Sequence, residues 1–266
     1  MAVIIDDVYQ KVLAIANKEQ RGYITPQEFN LFADQAQKEI FEQYFYDLNQ
    51  FNRLPGNSLG HSDMRDILEH KISLFEVWAD SSNAVLANDN GEIDIEANFP
   101  TTTNQGGFYR IIELRIDYGA TGNFKVAEEM TTKEFTKYSN SPLTIYSKNR
   151  PVYLHYKSGF GKFKIFPTPE ITNSLGVSVP NDIRISYIRK PTRPKWGYIV
   201  SGGTTSTSSV VPLYNAGDSN NFDLHESEEN ELVYRILKLS GIAIMRDDIM
   251  RAGQGMESLQ VQQEKQ

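Results

Sequence analysis

The chain has 266 residues, 39% of them hydrophobic and 23% charged, and its 27 basic against 34 acidic side chains give a formal charge of −7. That composition belongs to globular chains, excludes disordered and collagen-like ones, and argues against a free-standing DNA binder. The absence of cysteine excludes disulfide scaffolds, iron–sulfur centres, thiolate zinc sites and cysteine nucleophiles.

The opening MAVIIDDVYQ has no basic start and meets Asp6 and Asp7 after a short apolar run, so no signal peptide is expected. No stretch approaches the roughly 18 apolar residues of a membrane helix, and the expectation is a soluble chain made in a cytoplasm. Charge divides the chain in three: residues 1–70 carry a net −5, residues 71–222 a net +2, and residues 223–266 a net −4.

Residues 1–70 read as helices. Val8, Val12 and Ile15 mark one apolar stripe, with Asp6 and Asp7 at the favourable N-terminal end. After a turn at Gln20-Arg21-Gly22, Thr25, Pro26 and Glu28 form a strong helix start of N-cap, first-turn proline and capping box. Phe29, Phe32, Ala33, Ala36 and Ile40 continue it to about Leu48, which predicts an antiparallel helical hairpin. Pro55-Gly56-Asn57 breaks the chain, and a short helix starts at Ser62 and includes Ile67 and Leu68.

Residues 71–222 read as strands. Ile112, Leu114 and Ile116 alternate with Glu113, Arg115 and Asp117, a period of two with one wet face. Phe124 and Val126 follow, then a short helix over 131–138. Val152, Leu154 and Tyr156 mark a strand that Ser158-Gly159-Phe160-Gly161 turns into 162–166 as a hairpin, and Ile183, Ile185 and Tyr187 mark another. The Ser/Thr/Gly run at 201–209 predicts a mobile loop.

Residues 223–266 return to helix, capped by Asp223 or Ser227. From 232 to 245 the apolar residues cover most of the helix circumference, so burial on several sides is expected, by residues 1–70 and by the strand domain or a neighbouring subunit. The polar tail 253–266 is expected to be loose. The fold class read from the sequence is α+β: the N-terminal hairpin and the C-terminal helix form one helical bundle, and an antiparallel β-barrel or sandwich-like domain is inserted between them.

Few patterns carry chemistry. Residues 17–28 have EF-hand spacing, with Gly22 and Glu28 at loop positions six and twelve, but Asn17 and Arg21 are poor calcium ligands and the same residues make a plain helix–turn–helix. His61, His70, His155 and His225 lack metal-ligand spacing and read as solvent-facing or capping. No nucleophile elbow, P-loop or dinucleotide fingerprint occurs, so no catalytic, cofactor or metal residues are assigned.

Two features stand out. Residues 148–195 hold ten basic side chains and two acidic ones: Lys148, Arg150, Lys157, Lys162, Lys164, Arg184, Arg189, Lys190, Arg193 and Lys195 are the basic ones, several on one expected sheet face. That face is either simply solvated or meets an acidic partner, such as the helical ends of a neighbouring copy. The arm 187–198 leads two prolines and four charges into Trp196, as either a docking arm or a rigid loop with its tryptophan in the chain's own core.

The stretch from Asp7-Val8-Tyr9 through Ala16-Asn17-Lys18-Glu19-Gln20-Arg21-Gly22-Tyr23-Ile24-Thr25-Pro26-Gln27-Glu28-Phe29-Asn30, the arm 187–196, and Asn221-Phe222-Asp223-Leu224-His225-Glu226-Ser227-Glu228 resemble virion structural proteins of tailed bacteriophages. Among these they are most similar to the ring, or head–tail adaptor, proteins of crAss-like phages. The resemblance implies a homo-oligomeric ring, commonly of twelve copies, beneath the portal protein and joined to further ring and tail proteins. It implies a place in the virion at the portal vertex after synthesis in the host cytoplasm, around a channel through which DNA is ejected without sequence-specific binding. It brings no catalytic residues. Candidate interface residues are Arg189, Lys190, Arg193, Lys195 and Trp196 of the arm, with Leu232, Ile236, Leu239 and Ala243 of the last helix. The alternatives are a soluble β-rich carbohydrate- or receptor-binding module of a phage tail, with Trp196 and several tyrosines on its ligand face, and a hydrolase with carboxylates from separate strands.

Overall fold

The computed structural model describes residues 2–16, 24–53, 62–78, 91–94, 107–118, 122–155, 162–168, 181–200, 212–243 and 247–264. In chain order the elements are β1 (Ala2–Val3), α1 (Ile5–Ala16), α2 (Pro26–Arg53), α3 (Ser62–Ser73), β2 (Glu76–Trp78), β3 (Glu92–Asp94) and β4 (Phe108–Tyr118). There follow β5 (Lys125–Val126), β6 (Glu128–Glu129), α4 (Thr132–Ser139), β7 (Val152–His155), β8 (Lys162–Phe166) and β9 (Asn181–Arg189). The chain closes with β10 (Tyr198–Val200), β11 (Pro212–Tyr214), β12 (Phe222–His225), α5 (Glu229–Ala243) and α6 (Asp247–Glu264). The protein is thus mixed α+β, with six helices among the described residues.

The chain divides into two compact units, one of residues 1–74 with 191–266 and one of residues 75–190. Residues 191–222, expected with the strands, group with the terminal helices because hydrogen bonds from α2 staple the arm's backbone in place. The first unit holds 21 acidic and 14 basic side chains and the second 13 of each, so the whole net charge lies in the first.

In the helical unit, α1 turns Ile5, Val8, Tyr9, Val12 and Ala16 inward, a stripe at helical spacing, while Ile15 stays exposed. At the start of α2, Thr25 N–H donates to Glu28 Oε2 (3.0 Å) and Glu28 N–H to Thr25 Oγ1 (3.3 Å), the capping box the sequence predicts. The Thr25 N–H and hydroxyl, both donating to Oε2, hold the Glu28 carboxyl below its ordinary pKa. The helix runs past Leu48 to Arg53, and its Phe29, Ala33, Ala36, Ile40, Phe41 and Tyr44 are buried. The turn of the expected α1–α2 hairpin lies outside the described residues; α1 and α2 both pack on α5. The tail expected to be loose is helix α6, packed on α5. Gly253 makes that approach possible, since a Cβ there would stand 3.0 Å from the Lys238 backbone nitrogen.

In the second unit two four-stranded sheets run β2-β9-β4-β5 and β3-β8-β7-β6, and every ladder is antiparallel except β6–β7. Among the described residues neither sheet closes into a barrel. One core takes Ile93, Phe163, Ile165 and Tyr153 from one sheet and Leu114, Ile116, Ile183 and Ile185 from the other. The alternation read along β4 fails at Ile112, which is exposed. A register shift between Ile111 and Glu113 reverses the pleat there. Asp117, read as wet, is buried and accepts the Gly122 N–H at 2.6 Å. The turn at 158–161 and the loop at 201–209 lie outside the described residues.

Candidate interaction surfaces

The arm after β9 is built into the helical unit. Two amides two turns apart on α2 read its backbone. Asn30 accepts the Trp196 N–H (2.7 Å) and donates to its carbonyl (3.2 Å), and Gln37 donates to the Thr192 carbonyl (2.7 Å) while accepting the Asp223 N–H (3.1 Å). Asp223, considered as a helix cap from the sequence, instead lies in β12 and accepts from the Thr192 N–H and hydroxyl at 2.8 and 2.6 Å. Trp196 is 2% exposed. Its ring packs against Tyr9, Tyr198 and Tyr214, and Nε1–H donates to Asp6 Oδ1 at 2.9 Å. Gly197 admits the neighbouring turn, because a Cβ there would meet the Asp218 carbonyl at 2.7 Å. Trp196 is therefore a core residue of its own chain and not an exposed docking anchor.

The last helix is corrected in the same way. Leu232 and Ile236 are fully buried within their own chain, which packs α1 and α2 on this helix. Leu239 is half-buried, and the Ala243 side chain lies outside the described residues. As far as the described residues go, the apolar girdle read from the sequence packs on α1, α2 and α6. Charges are folded in with it: Arg235 donates to Glu231 (2.8 Å from Nε) and to Gln43 and lies 3.7 Å from Glu39, while Lys71 pairs with buried Glu228. Burial pushes the Glu231 carboxyl up to about 7, with Arg235 opposing it and Glu228 adding to it.

The basic residues of 148–195 do not share one face. Lys162 and Lys164 lie on β8 and Arg184 on β9, in different sheets, and Lys157 is outside the described residues. Arg150 pairs with Glu128 at 2.9 Å and Lys195 with Asp218 at 2.7 Å. Arg189 lies 5.9 Å from the centre of the Phe75 ring, the Lys190 N–H donates to the Gly107 carbonyl, and Arg193 is exposed. Period-two spacing shows only which residues of one strand share a face; it does not show which strands share a sheet.

Sequence reasoning missed three surfaces. Trp78 on edge strand β2 is 62% exposed, with the Arg115 guanidinium 5.7 Å from its ring centre and Arg115 bonded in turn to Glu113. Ile199 and Leu213 oppose each other across β10–β11 and are both exposed. Residues 131–150 have no buried member, and Leu143 among them is 96% exposed. A fourth surface, a groove of about 460 Å³ along α2, is lined by Glu39, Glu42, Gln43, Tyr46 and Asp47.

Among the described residues no group of three His, Asp or Glu can hold a metal ion, and no helix is long and apolar enough to cross a membrane. Residues 17–23 of the EF-hand-like run lie outside them, and so does His61. His225 Nδ1 accepts the Ser227 N–H as a cap, His155 contacts Glu129 at 3.0 Å, and the His70 and His225 rings are 6.2 Å apart. No protein-family model matches the chain, and no curated protein does.

Proposed function

We propose that the chain is a structural virion protein, a subunit of the head–tail connector ring that links the portal of a tailed bacteriophage to its tail around the DNA channel. The observation that carries this reading is the run of motifs at 7–30, 187–196 and 221–228. In this reading the helices of both chain ends form a bundle, and the two open sheets form a sandwich inserted between them. The charge division supports it: an acidic helical wall repels the phosphate backbone and lets DNA slide past, while the neutral half is free for protein contacts. Purified virions test it. Mass spectrometry is expected to find the chain in stoichiometric multiple copies, and electron microscopy to place it at the tail-bearing vertex. A chain abundant in infected cells and missing from particles refutes the reading.

Trp78 favours a second reading, a carbohydrate- or receptor-binding module. An open indole beside a fixed Arg115–Glu113 pair offers a stacking face with hydrogen-bonding groups at its rim. Glycan-array binding lost in Trp78→Ala supports that reading, and a blank array removes it.

A further inference from the structure

Resting on the ring reading above, we infer that residues 131–150 form a knob that docks into the acidic groove along α2 of a second copy of the chain. The knob is rigid before it meets a partner. Thr131 and Glu134 close a capping box on α4. The Ser141 N–H donates to the Tyr138 carbonyl and the Thr144 N–H to the Ser141 carbonyl, at 3.3 and 3.2 Å. Ser147 and Arg150 exchange backbone bonds at 3.2 and 2.9 Å. Below the tip, Phe135 stacks on Tyr146 and packs on Phe166, with ring centres 5.5 and 4.5 Å apart. This bracing ends in Leu143, with Tyr138 and Ile145 also exposed beside it in sequence. A preorganised apolar tip loses little conformational freedom on binding, as interface anchors require.

Charge selects the partner. Lys133, Lys137 and Lys148 are exposed on the knob. Glu134 is the one acid between 131 and 150, and its carboxylate is committed to the cap, whose hydrogen bonds hold its pKa down. Arg150 is matched by Glu128. The face along α2 is the complement: Glu42 and the ring of Tyr46 are exposed there, beside Glu39, which also lies 3.7 Å from Arg235, and Asp47, which accepts from Gln43 at 3.4 Å. Arg235, which bonds Gln43, is already matched to Glu231. Lysines over carboxylates, with an apolar tip beside an aromatic ring, give an electrostatically steered contact with a small desolvated centre. Knob and groove are different surfaces of one chain. In the ring reading the contact is heterologous and repeats head to tail, the symmetry that closes a ring; a reciprocal pair of such contacts would stop at a dimer.

Sedimentation velocity of the purified full-length chain tests the contact. The wild type is expected to self-associate, and more weakly as salt rises. Leu143→Asp and Lys137→Glu should each weaken association at least about tenfold, and Glu42→Lys should restore it in the Lys137→Glu background. All three positions are exposed, so far-UV circular dichroism is expected to be unchanged. A wild-type chain that stays monomeric at its highest soluble concentration overturns the contact, as does a Leu143→Asp chain that associates like wild type. The ring reading fails separately. Knob-dependent association by a chain missing from virions leaves the contact standing and removes the ring; normal incorporation of Leu143→Asp into virions does the reverse.

Discussion

Replacing Trp196 with alanine removes a side chain that is 2% exposed, packs on three tyrosine rings and donates to Asp6. Truncation of a buried tryptophan costs about 3–5 kcal/mol in lost transfer energy and cavity. The part-buried Asp6 carboxylate loses its donor as well, at a further cost of about 1 kcal/mol. Against a typical domain stability of about 5–15 kcal/mol, the helical unit should lose a third or more. Trp196→Phe keeps most of the ring contacts and loses only the N–H, so about 1–2 kcal/mol is expected. Urea titration followed by helical circular dichroism reads both. The chain has two tryptophans, so emission assigns the transition: Trp78→Phe leaves the buried indole, which should emit at shorter wavelength than the exposed one left in Trp196→Phe. A Trp196→Ala midpoint within about 1 kcal/mol of wild type would refute the reasoning, since only the arm's backbone bonds would then hold it.

Glu231 predicts a pH dependence. Its folded-state pKa is raised from about 4.5 to about 7, so its contribution to stability is complete below about 4.5 and is lost as pH rises through about 7. Urea midpoints across that window should fall more in wild type than in Glu231→Gln; equal slopes contradict the burial argument. Gly253→Val puts a branched side chain where a Cβ alone lies 3.0 Å from the Lys238 backbone, and should cost about 1–3 kcal/mol and speed proteolysis of α6. Thr131→Ala removes the cap of α4 at a cost of about 1 kcal/mol and should raise amide exchange over 132–139, while Thr131→Asp keeps exchange slow.

Local signals in the sequence carried the local structure. Thr25-Pro26 with Glu28 announced a helix start through bonds that close within four residues, and that box is present; the short helix read over 131–138 opens on a second box, Thr131 with Glu134. What depended on distant partners was hidden. Trp196 is buried by Tyr9 and Asp6 at the other end of the chain, and no periodicity near residue 196 contains that fact. Helix α6 lacks a broad apolar stripe. It is held by the close approach at Gly253 and the Lys238–Glu257 pair at 2.8 Å, both set by α5. Ile112 was misplaced because one shifted residue reverses a strand's faces, and nothing in its alternation marks the shift. The Leu143 knob was legible in part: its short helix has a capping box, but Leu143 and Ile145 follow in a stretch with no period to show which way they face.

The division of the chain sets an order of events during synthesis. Val3 pairs with Phe222, and α1 and α2 rest on α5, so the first helices made lack their last covering helix until the ribosome has passed residue 243. Residues 75–190 have all their strands long before that, and sequential emergence lets such a unit fold first. During that interval the core around Ile5, Val8, Val12 and Phe29, complete in the finished chain, is not yet closed. Nascent chains truncated before Phe222 should therefore recruit chaperones, and those released after α5 should not.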